Sequence, residues 1–304
     1  MIGALGLLFP IFAVIAIGRA AVQFGLIDPA GVRGINEFTV RIAFPALLFG
    51  SIANGALPQI FGVAGVYLVG CLAVYGLALL LARVALGVKL AEGAAFALNS
   101  TYGSAAYIAL PVISATYGAP GLSQIVPIIA LHSGVLLPLA AALIEIGSQG
   151  ANRAVLRNTV QSLVCNPIIM SIILGFVWNA AGIPIPSPFQ SLLHLFGAAA
   201  PSLALFCVGA CLPCTAGGYA KEALLATMLK LGVLPITIGT LSISVGFSGL
   251  PLKVALITSA MPTGANAFLV ARRVAASTET SAWIVVTSLI ISLPILSGLL
   301  TELR

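Results

Sequence analysis

The sequence predicts an all-α polytopic membrane protein, and three observations support this prediction. The chain has 304 residues, of which 60% are hydrophobic and only 7% are charged, whereas soluble domains carry about 25% charged residues. Apolar runs such as Phe61–Ala82 and Leu224–Phe247 contain at most one charge each, and about 20 helical residues suffice to cross a bilayer. The runs are continuously apolar instead of alternating, which argues against the strands of a transmembrane barrel.

Gly, Pro and charged residues between the apolar runs divide the chain into ten predicted spans. Spans one to five are predicted at Ile2–Phe24, Ile35–Gly55, Gln59–Arg83, Gly93–Tyr117 and Gly121–Gly147. Spans six to ten are predicted at Val160–Ala181, Phe189–Pro213, Ala223–Gly246, Leu252–Val274 and Thr280–Leu300.

Five spans in each half predict two repeats of opposite orientation, residues 1–150 and 151–304. A repeat with an odd number of spans ends on the side opposite to its start, so the second copy is inverted. Weak internal similarity supports this: Ala43-Phe44-Pro45-Ala46 in span two matches Ala200-Pro201-Ser202 in span seven, 156 residues later. A proline at corresponding places in both halves is typical of discontinuous helices.

The basic residues predict the orientation of the chain in the membrane. Of 13 Lys and Arg residues, only Lys253 and Arg304 lie near the even-numbered loops or the C-terminus. Because cytoplasmic loops are enriched in Lys and Arg, we expect the odd-numbered loops in the cytoplasm and both termini on the non-cytoplasmic side of the cell inner membrane. The other eleven, assigned to the odd-numbered loops, are Arg19, Arg33, Arg41, Arg83, Lys89, Arg153, Arg157, Lys221, Lys230, Arg272 and Arg273. Their dispersal argues against a nucleic-acid partner and favours the lipid bilayer as the surrounding medium.

The acidic residues lie near the ends of the predicted spans. None is placed at mid-span, where proton- and sodium-coupled carriers commonly keep an Asp or Glu. This leaves either uniport or coupling to Na⁺ or H⁺ through backbone carbonyls and His132. The seven acids are Asp28, Glu37, Glu92, Glu145, Glu222, Glu279 and Glu302.

Predicted spans four and nine contain the most informative sequence. Span nine holds Ala260-Met261-Pro262-Thr263-Gly264-Ala265-Asn266 near its middle, and Pro262 frees the carbonyl of Thr258 because it has no N–H. Span four holds Thr101-Tyr102-Gly103-Ser104, preceded by Asn99 and followed by Pro111. We therefore predict helix breaks at Gly103, Pro111 and Pro262. Open backbone groups at this depth persist only beside protein or a wet cavity, and the N-terminal ends of half-helices favour an anion.

An alternative interpretation is a pair of ordinary proline-kinked helices, whose Asn, Ser and Thr side chains bind neighbouring helices. The occurrence of two such spans in corresponding positions, with no other polar cluster at mid-depth, favours a binding site.

Several short motifs follow one another in a specific order over nearly the whole chain. In this order and spacing they resemble the bacterial branch of the auxin efflux carrier family, which includes malonate and other organic-acid permeases. The motifs are Leu26-Ile27-Asp28, Asn36-Glu37-Phe38, Ala43-Phe44-Pro45-Ala46-Leu47-Leu48-Phe49, Asn166-Pro167-Ile168-Ile169, Gly182-Ile183-Pro184-Ile185-Pro186 and Met261-Pro262-Thr263-Gly264-Ala265-Asn266-Ala267-Phe268.

The resemblance implies two inverted repeats in which spans four and nine cross as broken helices, as in sodium/proton antiporter and bile-acid symporter folds. It also implies an elevator with spans one, two, six and seven as scaffold, spans three to five and eight to ten as the moving part, and a homodimer through the scaffold. The family pattern Gly-Asn-x-Gly-x-x-Gly-x-Pro aligns with Gly103–Pro111, where Ser104 replaces Asn and Ala replaces two Gly. Substrate identity therefore does not transfer, and Asn99 is the candidate to replace the missing amide.

The leading hypothesis is alternating-access transport of a small organic anion, a carboxylate, without a cofactor. Alternatives are sodium- or proton-coupled symport of an organic acid or bile-acid-like anion, a channel, and an intramembrane enzyme with His132 as its base. We expect His132 to be a hydrogen-bonded packing residue, the alternative being a proton-sensitive group near the substrate. Cys207, Cys211 and Cys214 share a helical face and are interpreted as packing residues, so no metal site is predicted. The predicted substrate-binding residues are Asn99, Gly103, Ser104, Tyr107, His132, Pro262, Thr263 and Asn266.

Overall fold

The computed structural model describes residues 2–54, 60–150, 161, 166–211, 220–271, 274 and 278–303. Within these residues the protein is helical and contains no β-strand, only one isolated two-residue bridge. The prediction of an all-α membrane protein is therefore confirmed. In the described part of the chain, six helical segments are long and apolar enough to cross a membrane: Pro29–Ala53, Gly62–Val84, Ala105–Ser148, Ser187–Ala210, Lys221–Ser244 and Glu279–Glu302.

Shorter apolar helices accompany the six long segments. Further apolar stretches too short to count among those six are Phe12–Gln23, Pro167–Ala180 and Gly249–Ser259. In chain order the helices are α1 Ile2–Gln23, α2 Pro29–Phe38, α3 Phe44–Ala53, α4 Ile60–Val84, α5 Leu90–Thr101, α6 Leu110–Gln149, α7 Pro167–Ala180, α8 Ser187–Ala210, α9 Ala220–Met228, α10 Leu234–Ser244, α11 Gly249–Ser259, α12 Ala265–Ala271 and α13 Thr278–Glu302.

Three π-turns widen the helical path, and each ends two residues before a proline. Thr39–Ala43 joins α2 to α3, Ala105–Ala109 leads into α6, and Leu229–Val233 joins α9 to α10. In each case the residue after the turn donates its N–H to the carbonyl five residues earlier. The ring of a proline clashes with the carbonyl four residues before it and offers no N–H, which favours the wider turn. The prolines are Pro45, Pro111 and Pro235.

Pro111 consequently distorts the helix without ending it, and the helix break predicted at Pro111 is wrong. The interruption in this region lies at residues 102–104, between α5 and the π-turn that precedes α6. A second irregularity divides the 40-residue α6 at Gly118, which has φ +60° and ψ −146°. Only glycine adopts this conformation without strain. Forty residues of straight helix would be about 60 Å long, roughly twice the hydrocarbon thickness of a bilayer.

The helices pack in two sets of contacts. α1 lies along α8, and α3 packs against α7 and α8. α4 packs against α5, α6 and α10, while α9 packs against α13 and α12 against α5. Close approach of α1 and α8 depends on Gly18 and Gly209, because a Cβ on either would overlap a backbone carbonyl, of Phe206 and Ile15 respectively. Small residues commonly allow such close packing between membrane helices.

Candidate functional site

Two interrupted helical paths meet in the buried interior. α5 ends at Thr101 and α11 ends at Ser259, and the residues after each helix lie side by side. Gly103 and Thr263 form an antiparallel bridge, in which the Ser104 N–H donates to the Pro262 carbonyl at 2.8 Å. The Gly264 N–H donates to the Tyr102 carbonyl at 2.9 Å. Peptide groups released by each interruption are thus satisfied by the other, as a lipid environment requires. We call residues 102–104 and 260–264 together the paired breaks.

Side chains from α5 and α13 hold the paired breaks in place. The Thr263 N–H donates to Ser288 Oγ at 3.0 Å, and Thr263 Oγ1 donates to the Asn99 carbonyl at 2.8 Å. Asn99 Nδ2 in turn donates to Ser281 Oγ at 2.9 Å. The fold therefore brings the predicted residues Asn99, Gly103 and Ser104 together with Pro262 and Thr263, which lie about 160 residues later in the sequence.

Both glycines of the paired breaks are in tight contact. A Cβ on Gly264 would lie 3.0 Å from the ring of Tyr102, and a Cβ on Gly103 would lie 3.1 Å from Lys230 Nζ. Side chains at these positions would push the two segments apart, so glycine is needed for the close approach of the backbones.

An aromatic wall flanks the first interruption. The rings of Tyr102 and His132 are stacked, with centroids 4.4 Å apart and an interplanar angle of 14°. The Tyr67 ring meets His132 edge-on at 5.7 Å, and the Tyr102 hydroxyl shares a hydrogen bond of 3.0 Å with Ser133 Oγ. His132 is fully buried, and neither ring nitrogen has a hydrogen-bond partner among the described residues. The residue therefore packs within the aromatic wall, with the backbone of Thr101 close to its ring.

Tyr107 and Asn266 connect the paired breaks to the α2–α3 segment. The Tyr107 hydroxyl donates to Asn36 Oδ1 at 3.4 Å, and its ring meets Phe44 edge-on at 5.3 Å. The Asn266 side chain lies close to the hydroxyls of both Tyr102 and Tyr107. Tyr107 therefore lies where the two sets of packed helices face each other.

Some buried polar atoms beside the paired breaks remain without a partner. Asn99 Oδ1 and Ser104 Oγ are both buried and make no hydrogen bond to any described residue. Buried polar groups are nearly always paired in folded proteins, and an exception needs an explanation. Together with His132, these atoms form a set of unsatisfied groups that a polar ligand could bind.

Lys230 is the functional candidate that the sequence analysis missed. The charge count placed it at a cytoplasmic loop, which is wrong. Lys230 lies in the third π-turn, at the eleventh of 25 residues in Ala220–Ser244, and its side chain is fully buried. Its Nζ donates to the Ser259 carbonyl at 2.6 Å. The signal was available, because Lys230 is the single charge in the apolar run Leu224–Phe247 and an ionisable residue within a span is a functional candidate by default.

A cavity of about 390 Å³ lies between α3, α6 and α8, apart from the paired breaks. None of the eight predicted substrate-binding residues lines it. Its polar side chains are Ser51, Asn54, Ser114, Gln190 and His194.

The described part of the chain contains no group of three or more His, Cys, Asp and Glu residues that could hold a metal ion. Cys207 is buried and Cys211 is exposed, and neither is in a disulfide, while Cys214 lies outside the described residues.

Comparison with known proteins gives one family match and several relatives. The family model described as "Membrane transport protein" matches residues 4–300. "Uncharacterized transporter YfdV" of Escherichia coli (strain K12) is 22% identical over 288 residues, which cover 91% of this chain and 90% of the relative. "Putative malonate transporter" of Rhizobium meliloti (strain 1021) is 22% identical over 317 residues, covering 98% and 95%. "Probable auxin efflux carrier component 5a" of Oryza sativa subsp. japonica is 26% identical over 153 residues, covering 48% and 42%.

Proposed function

Because the chain belongs to the membrane transport protein family, which includes the auxin efflux carriers, we propose that it moves a small organic anion by alternating access. Membership confirms the family resemblance drawn from the sequence motifs. The protein is a multi-pass membrane transporter and not an enzyme. The substrate and the mechanism are the parts that the proposal adds.

The observation that carries the proposal is the pairing of two helix interruptions in a buried polar interior. Ser104 Oγ is unpartnered there and can donate a hydrogen bond, and Ser104 immediately precedes the helical segment that begins at Ala105. The N-terminal end of a helix carries a partial positive charge and unpaired N–H groups, which favour an anion. Buried polar groups within a membrane protein are costly and are commonly kept for binding.

A carboxylate suits these groups better than a cation or an apolar solute. The hydroxyl groups of Ser104 and Tyr107 and the side-chain amide of Asn266 can donate hydrogen bonds, which a carboxylate accepts. The relative from Rhizobium meliloti is named for malonate, a dicarboxylate. We propose small mono- and dicarboxylates as the substrate class, with Thr263 and Pro262 shaping the site through the backbone and His132 and Gly103 lining it.

Helix lengths support the proposed inverted repeats, residues 1–150 and 151–304. α4 has 25 residues and begins at Ile60, and the helical path Ala220–Ser244 also has 25 residues and begins 160 residues later. α5 and α11 have 12 and 11 residues, and both end at a break. The two segments of the paired breaks run antiparallel, as crossing helices from inverted repeats would. Ten spans with crossing helices are the arrangement that we propose.

The packing supports an elevator in which part of the molecule moves against a scaffold. In this proposal α1, α2, α3, α7 and α8 form the scaffold, and α4, α5, α6 and α9 to α13 move with the paired breaks. The cavity between α3, α8 and α6 lies along the proposed boundary, as does the contact of Tyr107 with Asn36. A homodimer through the scaffold, an inner-membrane location and non-cytoplasmic termini remain predictions of the same proposal.

The test is uptake of radiolabelled malonate and related carboxylates into proteoliposomes. Thr263→Val removes a hydroxyl at the paired breaks, and Asn266→Ala removes the amide that lies close to both tyrosines. We expect each to lower uptake about tenfold or more, since a buried hydrogen-bonding partner contributes roughly 1–3 kcal/mol. Thr240→Val is the matched control, because Thr240 is exposed on α10.

Unchanged uptake in both variants would contradict the assignment of the site. If the unmutated protein moved no carboxylate at all, the substrate class would be wrong. A thermal-shift screen of the purified protein against the same compounds gives a second measurement, because a ligand that binds only the folded state raises the melting temperature.

A further inference from the structure

The buried side chain of Lys230 is the feature that the organic-anion proposal does not use. It reaches from the π-turn Leu229–Val233 into the paired breaks, with Nζ 2.6 Å from the Ser259 carbonyl oxygen. The position of a Cβ on Gly103 would be 3.1 Å from Nζ and 3.2 Å from Cε, so the side chain lies directly against the interrupted backbone. The residue is completely buried.

The carbonyl that receives Lys230 is one that the interruption has released. In a continuous helix the Thr263 N–H would donate to Ser259, four residues earlier. Here the Thr263 N–H donates to Ser288 Oγ at 3.0 Å, and Lys230 takes its place on Ser259. Lys230 therefore satisfies a group at the C-terminal end of α11, where a helix carries partial negative charge.

Among the residues that the structure describes, no acidic side chain faces Lys230 from a helix packed against it. The groups around it are Cys71 of α4, His132 of α6, and the carbonyl of Ser259 at the end of α11. Within the described residues Lys230 forms no ion pair, and its hydrogen bond is to a carbonyl. A buried cation without a counter-charge is costly, so the dipolar end of α11 is what compensates it here.

We propose that Lys230 is a built-in cation that occupies the position a coupling sodium ion would take, and that transport consequently needs no Na⁺ gradient. In carriers with discontinuous helices, unwound backbone carbonyls and the C-terminal ends of half-helices are the groups that coordinate Na⁺. Lys230 already occupies such a place. This inference rests on the proposed organic-anion transport and assigns its coupling: the ammonium group supplies the charge and geometry that a bound ion would otherwise provide.

The first test compares uptake in Na⁺ buffer with uptake in choline buffer, for the unmutated protein and for Lys230→Met. We expect the unmutated protein to move carboxylates equally well in both buffers, within about twofold. Lys230→Met keeps an unbranched side chain that is only one heavy atom shorter but removes the charge, and we expect uptake to fall about tenfold or more. Lys221→Met is the control, because Lys221 is exposed at the start of the same helical path. A requirement for Na⁺ in the unmutated protein, or full uptake in Lys230→Met, would overturn the proposal.

The second test needs no substrate and so separates this proposal from the proposed function. Lys230→Ala leaves room for a small cation beside the Ser259 carbonyl. We expect this variant to melt at a lower temperature than the unmutated protein in choline chloride, and to recover by about 3 °C or more in sodium or methylammonium chloride. The unmutated protein should melt at the same temperature in all three salts.

Two results of this second test would overturn the proposal even if no carboxylate is transported. One is a Lys230→Ala melting temperature that is insensitive to small cations, and the other is Na⁺-dependent stability of the unmutated protein. If Lys230→Ala does not fold, the same salts are compared on Lys230→Met, whose apolar side chain fills the site and excludes a cation. Lys230→Met should then be destabilised equally in every salt, and a sodium-specific recovery would contradict the assigned position.

Discussion

The contact between α1 and α8 and the paired breaks are both buried, but the first buries apolar side chains and the second buries many polar ones. At the first, Gly18 and Gly209 bring two continuous helices into backbone contact, and the surrounding buried side chains, such as Ile15, Ala204 and Val208, are apolar. At the second, the helices are interrupted and many of the buried side chains in and around the breaks are polar or charged: Asn99, Ser104, His132, Lys230, Thr263, Ser281 and Ser288.

The difference separates the contacts that stabilise the fold from the groups that we propose bind the substrate. Lipid tails are as apolar as leucine, so membrane helices associate through close van der Waals packing and a few interhelical hydrogen bonds. The α1–α8 contact follows that rule with small residues. Buried polar groups and interrupted helices at the paired breaks are costly and contribute less to packing, and the proposed function explains them as groups kept to bind a ligand.

The largest effect is expected where the packing is tightest. A side chain at Gly209 would overlap the carbonyl of Ile15, so Gly209→Val should force α1 and α8 apart and destabilise the protein by about 3 kcal/mol or more. The measurements are the melting temperature and the yield of monodisperse protein. Gly76→Ala is the control, since Gly76 of α4 has open space around its Cα and alanine favours the helix. An unchanged melting temperature in Gly209→Val would remove the distinction between the two regions.

An intermediate effect, on transport more than on stability, is expected at the paired breaks. In Gly264→Ala the added methyl would lie 3.0 Å from the Tyr102 ring, so the ring must shift and its stacking on His132 is disturbed. We expect a cost of about 1 kcal/mol in stability and a loss of uptake of about tenfold. Gly298→Ala in α13, where nothing lies near the added methyl, should change neither. Equal losses of stability in Gly264→Ala and Gly209→Val, with uptake per folded molecule retained, would show that both regions serve packing alone.

The smallest effect is expected for a polar contact away from both regions. Thr227 Oγ1 and Thr287 Oγ1 share a hydrogen bond of 3.0 Å between α9 and α13. A double-mutant cycle with Thr227→Val and Thr287→Val should give a coupling of about 0.6 kcal/mol, typical of hydrogen bonds between membrane helices. Denaturation of the purified protein in mixed micelles measures it. A coupling above about 2 kcal/mol would show that this pair is among the strongest contacts, which would contradict the expected order of effects.

Much of the fold could be predicted because lipid makes strict demands on a sequence. Continuous apolar runs predicted the helices, and the observed bounds differ from the predicted ones by only a few residues in cases such as α8 and α13. The residues Gly103 and Pro262 marked the interruptions, since glycine and proline weaken a helix wherever they lie. The motif order predicted the family, which the match over residues 4–300 confirmed.

The amino-acid sequence by itself thus determined that this protein is a helical membrane protein with two interrupted segments, because helix formation and lipid burial depend on local composition. The order of its motifs identified it as a transporter. Only the tertiary structure decided which groups meet. It pairs Gly103 with Thr263, and it places a π-turn directly before the helix that contains Pro111. It also buries Lys230, which donates a hydrogen bond to the Ser259 carbonyl. Such contacts join residues from distant parts of the chain, and whether a buried polar group is satisfied depends on the atoms that packing brings beside it.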